Sequence, residues 1–168
     1  MWGNVRNGLE RFLEWVVTAL LVAMVVIVVL GVLYRKFGDS LVWYDEVASI
    51  VLAWLTYYGS ALAALKRAHI GFSGLVDAAP GPWRLVLVVV AELIVLGFFV
   101  LLAWVGYEVL LVLEGDTLIS LPQVSVQITQ SVIPIGAALF VLAQLVSLPD
   151  VIERARSGRR LHTEEFEP

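Results

Sequence analysis

Glu92 is the side chain in this sequence best placed to do chemistry, because it is a carboxylate within an apolar stretch that covers residues 85–111. Ionisable groups inside a membrane commonly mark ion or proton pathways. Glu92 lies only about 10 Å along a helix from the start of that stretch, whereas a coupling site normally gathers several polar groups at the midplane. We therefore favour a structural carboxylate that pairs with Lys66, Arg67 or Arg84, or with a partner subunit. The alternative is a coupling carboxylate in a transport site.

The sequence contains no cysteine and only two histidines, His69 and His162. The absence of thiols excludes disulfides, thiolate metal sites and iron–sulfur clusters. A haem held between membrane helices needs two axial ligands that face each other, whereas one histidine follows an apolar stretch and the other lies in the C-terminal tail. No phosphate-binding loop or nucleophile set can be assembled either. We predict a protein that is not an enzyme and that binds no cofactor or metal.

The elements that position these side chains are predicted to be membrane helices. Of the 168 residues, 60% are hydrophobic and 15% are charged, and the mean hydropathy is +0.90. A soluble core of this size could not bury so much apolar surface. Continuous apolar runs favour helices over barrel strands. We predict an all-α membrane protein with one four-helix domain over residues 1–156, with spans at about 15–34, 46–66, 85–111 and 130–149.

The direction of the spans follows from the positive charges, since Lys and Arg stay on the cytoplasmic side. Nine of them lie in the N-terminal segment, in the connection between spans two and three and in the tail, against Arg35 and Lys36 on the other side. Both termini are therefore predicted to be cytoplasmic. Alternating apolar and charged residues before span one predict a short interfacial helix, with an extension of span one as the alternative. Residues 157–168 are predicted to form a flexible cytoplasmic tail.

Small residues in the second span favour contacts with other helices. Pairs separated by four positions permit close helix approach in lipid. They are Ser49 and Ala53, Gly59 and Ala63, and Ser60 and Ala64. The contacts can be with another membrane protein or within the four helices. Because the sequence shows neither a broken helix nor an inverted repeat, the usual marks of a transport site, we expect no transport by this chain alone.

The predicted outer side carries an excess of acidic side chains over Arg35 and Lys36. The carboxylates are Asp39, Asp45, Glu46, Glu108, Glu114 and Asp116. Such a rim can orient a soluble partner by complementary charge, and ordinary solvation is the alternative. On the same side, a helical stripe of polar residues follows Pro122. It consists of Gln123, Gln127, Gln130 and Ser131.

An ordered set of residues links the chain to a known family. The set comprises Arg35 after span one, Trp43 and the acidic pair Asp45 and Glu46 before span two, Trp54 and Gly59 within it, His69 and Ile70 after it, and Pro134 to Gly136 in span four. This combination resembles the small Q-type membrane subunit of the tripartite ATP-independent periplasmic (TRAP) transporters. The resemblance covers nearly the whole chain. Asp45 is a departure, since a Glu is commoner at that place.

The resemblance implies a secondary transporter in three parts. The expected partners are a large multi-span membrane subunit, which holds the substrate and sodium sites, and a periplasmic substrate-binding protein. This chain would be a scaffold in the inner membrane of a bacterium or archaeon, in contact with lipids and not with nucleic acid. Family substrates are mostly organic acid anions. Two other functions stay open at this stage, namely a free-standing channel or exchanger that uses Glu92 and an anchor subunit of a respiratory enzyme.

Physical roles can be assigned to several of these positions. Arg35 is predicted to form an ion pair with Asp45 and Glu46 across the first loop, and the two carboxylates complement the positive N-terminus of the second span. Trp43 is predicted to be an anchor at the outer interface, and His69 is predicted to lie at the level of the inner headgroups.

Overall fold

The computed structural model of the chain describes residues 2–66 and 81–157, and these residues are mostly helical. The helices are α1 (Trp2–Lys36), α2 (Tyr44–Leu65), α3 (Gly81–Val112), the short α4 (Val126–Gln130) and α5 (Val132–Ser157). Helices α1, α2 and α3 and the combined α4–α5 segment are each long and apolar enough to cross a membrane. The prediction of an all-α protein with four spans is confirmed. His69 and the part of the predicted tail after Ser157 lie outside the described residues.

Local chemistry sets the ends of the first two helices. Helix α1 ends with Arg35 and Lys36, whose positive charges complement the negative end of a helix. Gly38 then turns the chain with a φ of +86°, where a side chain would be strained. Helix α2 carries Asp45 and Glu46 in its first turn, and these carboxylates complement its positive end. The short connection between the helices therefore produces a tight helical hairpin.

The N-terminal part of α1 packs on the rest of the protein. Helix α1 is unbroken over 35 residues, whereas about 20 residues suffice to cross the hydrocarbon. Leu13 in this part is fully buried, and Arg6 Nη1 donates to Asp150 Oδ2 of α5 at 2.8 Å. The predicted interfacial segment is thus continuous with the first span rather than a separate element. Its orientation relative to the membrane stays a prediction.

The helices pack in the order α1, α2, α5, α3. Helix α5 contacts both α2 and α3, and α1 packs on α2, but α3 makes no substantial contact with α1 or α2 in the described part of the chain. The core lies between α1, α2 and α5, where Leu13, Leu65 and Ala143 are fully buried. At the other seam, the rings of Phe99 and Phe140 stack 3.6 Å apart. Helix α5 is therefore central, while α1 and α3 form the two edges.

Two glycines permit close packing of α2 against its neighbours. Gly31 of α1 lies under the ring of Tyr44, and a Cβ at Gly136 of α5 would lie 2.6 Å from Tyr57 Cβ. Any larger side chain at either position would push the helices apart. Gly59 differs, because nothing lies within 4 Å of the place that its Cβ would occupy. The face of α2 that contains Gly59 is therefore open.

We call the side of the protein that contains Tyr44 the outer side and the side that contains Leu65 the inner side, in accordance with the charge prediction.

Candidate interaction surface

Glu92 lies on the inner half of the seam between α3 and α5. Its Oε2 atom accepts a hydrogen bond from Gln144 Nε2, and Gln144 is buried. Gln144 lies one turn outward from Ser147, whose Oγ is 3.4 Å from the Leu65 carbonyl oxygen. This places the Glu92–Gln144 pair about 5 Å from the inner end of α2, well short of the midplane. Glu92 therefore helps to join two helices through a partner that the sequence did not predict.

The predicted pairing of Glu92 with Lys66 is wrong. Lys66 forms ion pairs with Glu14 and, at 3.4 Å, with Glu10 of α1. The hydrogen bond to Glu14 raises the pKa of the Lys66 ammonium group above its ordinary value. Arg67 lies outside the described residues, and the pairing of Glu92 with Arg84 stays a prediction. The inner end of α2 is thus linked to α1 rather than to α3.

The predicted ion pair of Arg35 with Asp45 and Glu46 is also wrong. Arg35 Nη2 donates to the hydroxyl of Tyr44, and the guanidinium carbon lies 5.5 Å from the centre of the Tyr44 ring. The physical reason is Gly31, whose missing side chain lets the Tyr44 ring lie against α1. The aromatic ring, rather than a carboxylate, is therefore the partner of Arg35 across the hairpin. Asp45 is exposed.

Glu46 binds the loop between α3 and α4. Its carboxylate accepts hydrogen bonds from the main-chain N–H of Ile119 at 3.2 Å, from the N–H of Ser120 at 2.9 Å and from the Ser120 hydroxyl. Hydrogen bonds to a charged acceptor are among the strong ones in proteins. The tip of the loop carries Ile119, which is 95% exposed. Glu46 thus holds an exposed apolar side chain in a defined place on the outer side.

Hydrogen bonds within the same loop add to its order. The N–H of Val126 donates to the Asp116 carbonyl at 2.9 Å, and the N–H of Leu118 donates to the Val124 carbonyl at 3.0 Å. Gly115 starts the turn with a φ of +90°. At the base of the loop, Gln127 Nε2 donates to the carbonyl of Leu110 near the end of α3. The polar stripe predicted from the sequence is therefore divided, because this glutamine faces the protein while Gln123 and Gln130 are exposed.

The fourth span is broken between α4 and α5, contrary to the expectation of unbroken helices. Pro134 is the cause, since proline has no N–H for the carbonyl four residues earlier and its ring clashes with that carbonyl. Two of the carbonyls released at the break have other donors. The Ser131 hydroxyl donates to the Ile128 carbonyl at 2.7 Å, and Trp54 Nε1 donates to the Thr129 carbonyl at 2.8 Å. Trp54 thereby fastens α2 to the broken end of α4.

The remaining candidate residues have packing positions. Trp43 is half-buried at the residue before α2 and makes no side-chain capping bond. Pro134 lies beside Gly106 of α3, where a Cβ would be 3.2 Å from Pro134 Cδ. Gly136 contacts Tyr57 as described above. These contacts join the fourth span to α3 on one side and to α2 on the other.

The edge helices leave large apolar surfaces uncovered. On α1, Trp15 is 77% exposed, and on α3, Trp104 and Ile94 are 70% and 66% exposed. Between the described residues, no group of three or more metal-ligating side chains comes together. Surfaces of this kind bind lipid or other membrane helices.

Comparisons with known proteins point to one group of membrane components. A sequence profile of the DctQ component of the tripartite ATP-independent periplasmic transporters matches residues 24–154. The chain is 28% identical over 101 residues to the C4-dicarboxylate TRAP transporter small permease protein DctQ of Vibrio cholerae. The aligned residues make up 60% of this chain and 42% of that protein. It is 26% identical over 102 residues to a TRAP transporter small permease protein of Haemophilus influenzae. The aligned residues make up 60% of this chain and 62% of that protein. The match therefore covers less than two thirds of either relative.

Proposed function

Because the chain belongs to the DctQ component family of the tripartite ATP-independent periplasmic transporters, we propose that it is the small scaffold subunit of such a transporter. It is a multi-pass protein of the bacterial inner membrane. In this proposal the chain binds and stabilises a large membrane subunit, and it helps to dock an extracytoplasmic substrate-binding protein. The sodium and substrate sites belong to the large subunit.

The exposed edge helices are the observation that carries this proposal. Helix α5 is covered on both sides, whereas α1 packs mainly on α2 and α3 packs mainly on α5. The largest exposed side chains include the aromatic groups Trp15, Phe98 and Trp104. Aromatic residues are enriched where proteins bind one another. A chain whose helices form a row with two open edges can extend the surface of a larger membrane protein.

The outer side supports the docking role. Asp39, Asp45, Glu114 and Asp116 are all exposed there, so a partner with basic side chains would be oriented by complementary charge. The hydrogen bonds of Glu46 keep the α3–α4 loop in a fixed shape beside these carboxylates. A loop that is already ordered loses little conformational entropy when a partner binds.

The substrate class is proposed by family membership alone. The relative from Vibrio cholerae is by its description a C4-dicarboxylate transporter component, and we propose an organic acid anion as substrate here. The described residues of this chain contribute no obvious anion site, so the substrate would be chosen by the other components.

The experiment that tests the proposal is purification of the tagged chain from its native membrane in mild detergent, followed by mass identification of the bound proteins. We expect one much larger multi-span protein at equal stoichiometry. Recovery of the chain alone, or only as its own oligomer, would contradict a scaffold role. Sodium-dependent uptake of organic acids should then require all three components in vesicles, and the chain reconstituted alone should show none.

A further inference from the structure

The main-chain carbonyl of Gln130 is the third carbonyl released at the break in the fourth span. In a continuous helix its donor would be the N–H of residue 134, which proline lacks. The side chains of Ser131 and Trp54 go to the two preceding carbonyls, and no side chain among the described residues donates to Gln130. The carboxamide of Gln130 is itself exposed and makes no hydrogen bond within the described part of the chain. Gln130 thus combines an exposed side-chain amide with a main-chain carbonyl that no side chain of the described residues satisfies.

This polar point lies within the membrane span. Gln130 belongs to the apolar segment Val126–Glu153. Ser147 lies level with Leu65 at the inner end of α2. Gln130 precedes Ser147 by 17 residues, which corresponds to about 25 Å of helix. Because α2 is about 33 Å long, Gln130 lies roughly 8 Å below its outer end, and we expect lipid chains rather than water at this depth.

We propose that Gln130 is a contact site for a transmembrane helix of the large subunit. The inference rests on the proposed function, which supplies that subunit, and deepens it by naming a position and a chemistry. The partner helix would present a side-chain hydroxyl or carboxamide, which can donate to the Gln130 carbonyl and exchange hydrogen bonds with its amide. Such polar contacts between membrane helices are a recognised source of specific association.

The surroundings of Gln130 favour a helix over the other possible occupants. Lipid chains offer no hydrogen-bond donor or acceptor, so an exposed amide in contact with them is costly. Ile128 is 64% exposed and Ile135 is 47% exposed in the same segment, so this segment also offers apolar side chains to a partner helix. A polar group in a membrane span also restricts the register in which a partner helix can bind.

A nitroxide spin label tests the contact directly. The natural chain has no cysteine, so Gln130→Cys creates a single attachment site, and Gln123→Cys creates a matched control at an exposed glutamine in the α3–α4 loop. Both labelled chains are reconstituted alone and with the co-purified large subunit. We expect the large subunit to lower the oxygen accessibility of the label at position 130 and to leave the control unchanged.

Two results of the labelling experiment would overturn the inference. Unchanged oxygen accessibility in the complex would mean that lipid covers position 130, and high accessibility to a water-soluble nickel chelate would mean that water does. If the wild-type chain retains the large subunit in these cases, the proposed function stands and only the contact site is wrong. If the wild-type chain retains no large subunit, both proposals are wrong.

Substitutions without a spin label provide the second test of the contact at Gln130. Gln130→Leu removes the amide and should weaken retention of the large subunit by about three- to tenfold, whereas Gln123→Leu should not. Pro134→Ala restores an N–H for the Gln130 carbonyl and should also weaken retention while the purified chain stays folded. Full retention by both Gln130→Leu and Pro134→Ala would contradict the proposal.

Discussion

The indole nitrogen of Trp54, midway along α2, donates a hydrogen bond to the carbonyl oxygen of Thr129, 75 residues later, at a distance of 2.8 Å. This carbonyl would otherwise be left without a donor, because the helix is interrupted a few residues before Pro134. An unsatisfied carbonyl in a membrane costs more than in water. Trp54 therefore makes a broken span tolerable in this fold.

Replacement of Trp54 by phenylalanine tests that relationship. Trp54→Phe keeps an aromatic ring beside Tyr58 but removes the N–H, and we expect a loss of about 1–3 kcal/mol in stability. The measurement is the thermal unfolding midpoint of the purified chain in detergent. Trp104→Phe is the matched control, since Trp104 is 70% exposed at the edge of the protein. Equal midpoints for the two variants would show that the hydrogen bond contributes nothing.

The order of the outer loop is predicted to depend on Glu46. Glu46→Gln replaces a charged acceptor that binds two main-chain N–H groups, and hydrogen bonds to a charged acceptor are stronger than those to a neutral one. We expect the amides of Ile119 and Ser120 to exchange with solvent deuterium about tenfold faster or more. Asp45→Asn is the control, because Asp45 is exposed and does not bind the loop. Unchanged exchange in Glu46→Gln would rule out the anchoring role.

Arg35 is predicted to be coupled to Tyr44 and not to Asp45. A double-mutant cycle with Arg35→Ala and Tyr44→Phe should give a favourable coupling free energy, clearly different from zero, in thermal or chemical unfolding. A cycle with Arg35→Ala and Asp45→Asn should give a coupling free energy near zero, because no ion pair joins Arg35 and Asp45 among the described residues. A larger coupling with Asp45 would restore the ion pair first predicted from the sequence.

Lys66 should make stability decrease at high pH. Its pKa is raised from 10.5 in the folded chain by the hydrogen bond to Glu14, so its contribution is fully present below pH 10.5 and is lost as the pH rises through the higher folded value. Because the side chain is 41% exposed, we expect the effect to be below about 1 kcal/mol. The measurement is the unfolding midpoint between pH 9 and 12 for the wild type and Lys66→Met, because the loss is expected above pH 10.5. Parallel pH curves for the two proteins would contradict the ion pair.

Glu92 is predicted to join helices and not to couple ions. Glu92→Gln keeps an oxygen that can accept from Gln144, so uptake by the assembled transporter should be retained. Glu92→Leu leaves the buried Gln144 without this acceptor and should destabilise the chain by about 1–3 kcal/mol. Loss of uptake in a stable, assembled Glu92→Gln complex would support a coupling role for Glu92 within the transporter instead.

The four spans could be predicted because span length is a local property. An apolar run that matches the thickness of the bilayer is visible without knowledge of its neighbours, and the family resemblance built on Arg35, Trp43 and Trp54 is confirmed by the match over residues 24–154. The break in the fourth span is not predicted from the sequence, although Pro134 lies within that span. A proline in a membrane helix is tolerated when other groups satisfy the freed carbonyls, and the identity of those groups is not a local property.

The sequence by itself determined the class of the protein, the number of its spans and its family. Only the tertiary structure decided which polar groups meet. Glu46 binds Ser120 across 74 positions, and Glu92 binds Gln144 across 52. The physical reason is that lipid surrounds every apolar helix equally well, so apolar pattern alone does not order the helices as α1, α2, α5, α3. The close packing permitted by Gly31 and Gly136, together with a few hydrogen bonds, selects that order. The packing contacts and the hydrogen bonds alike join residues that are far apart in the chain.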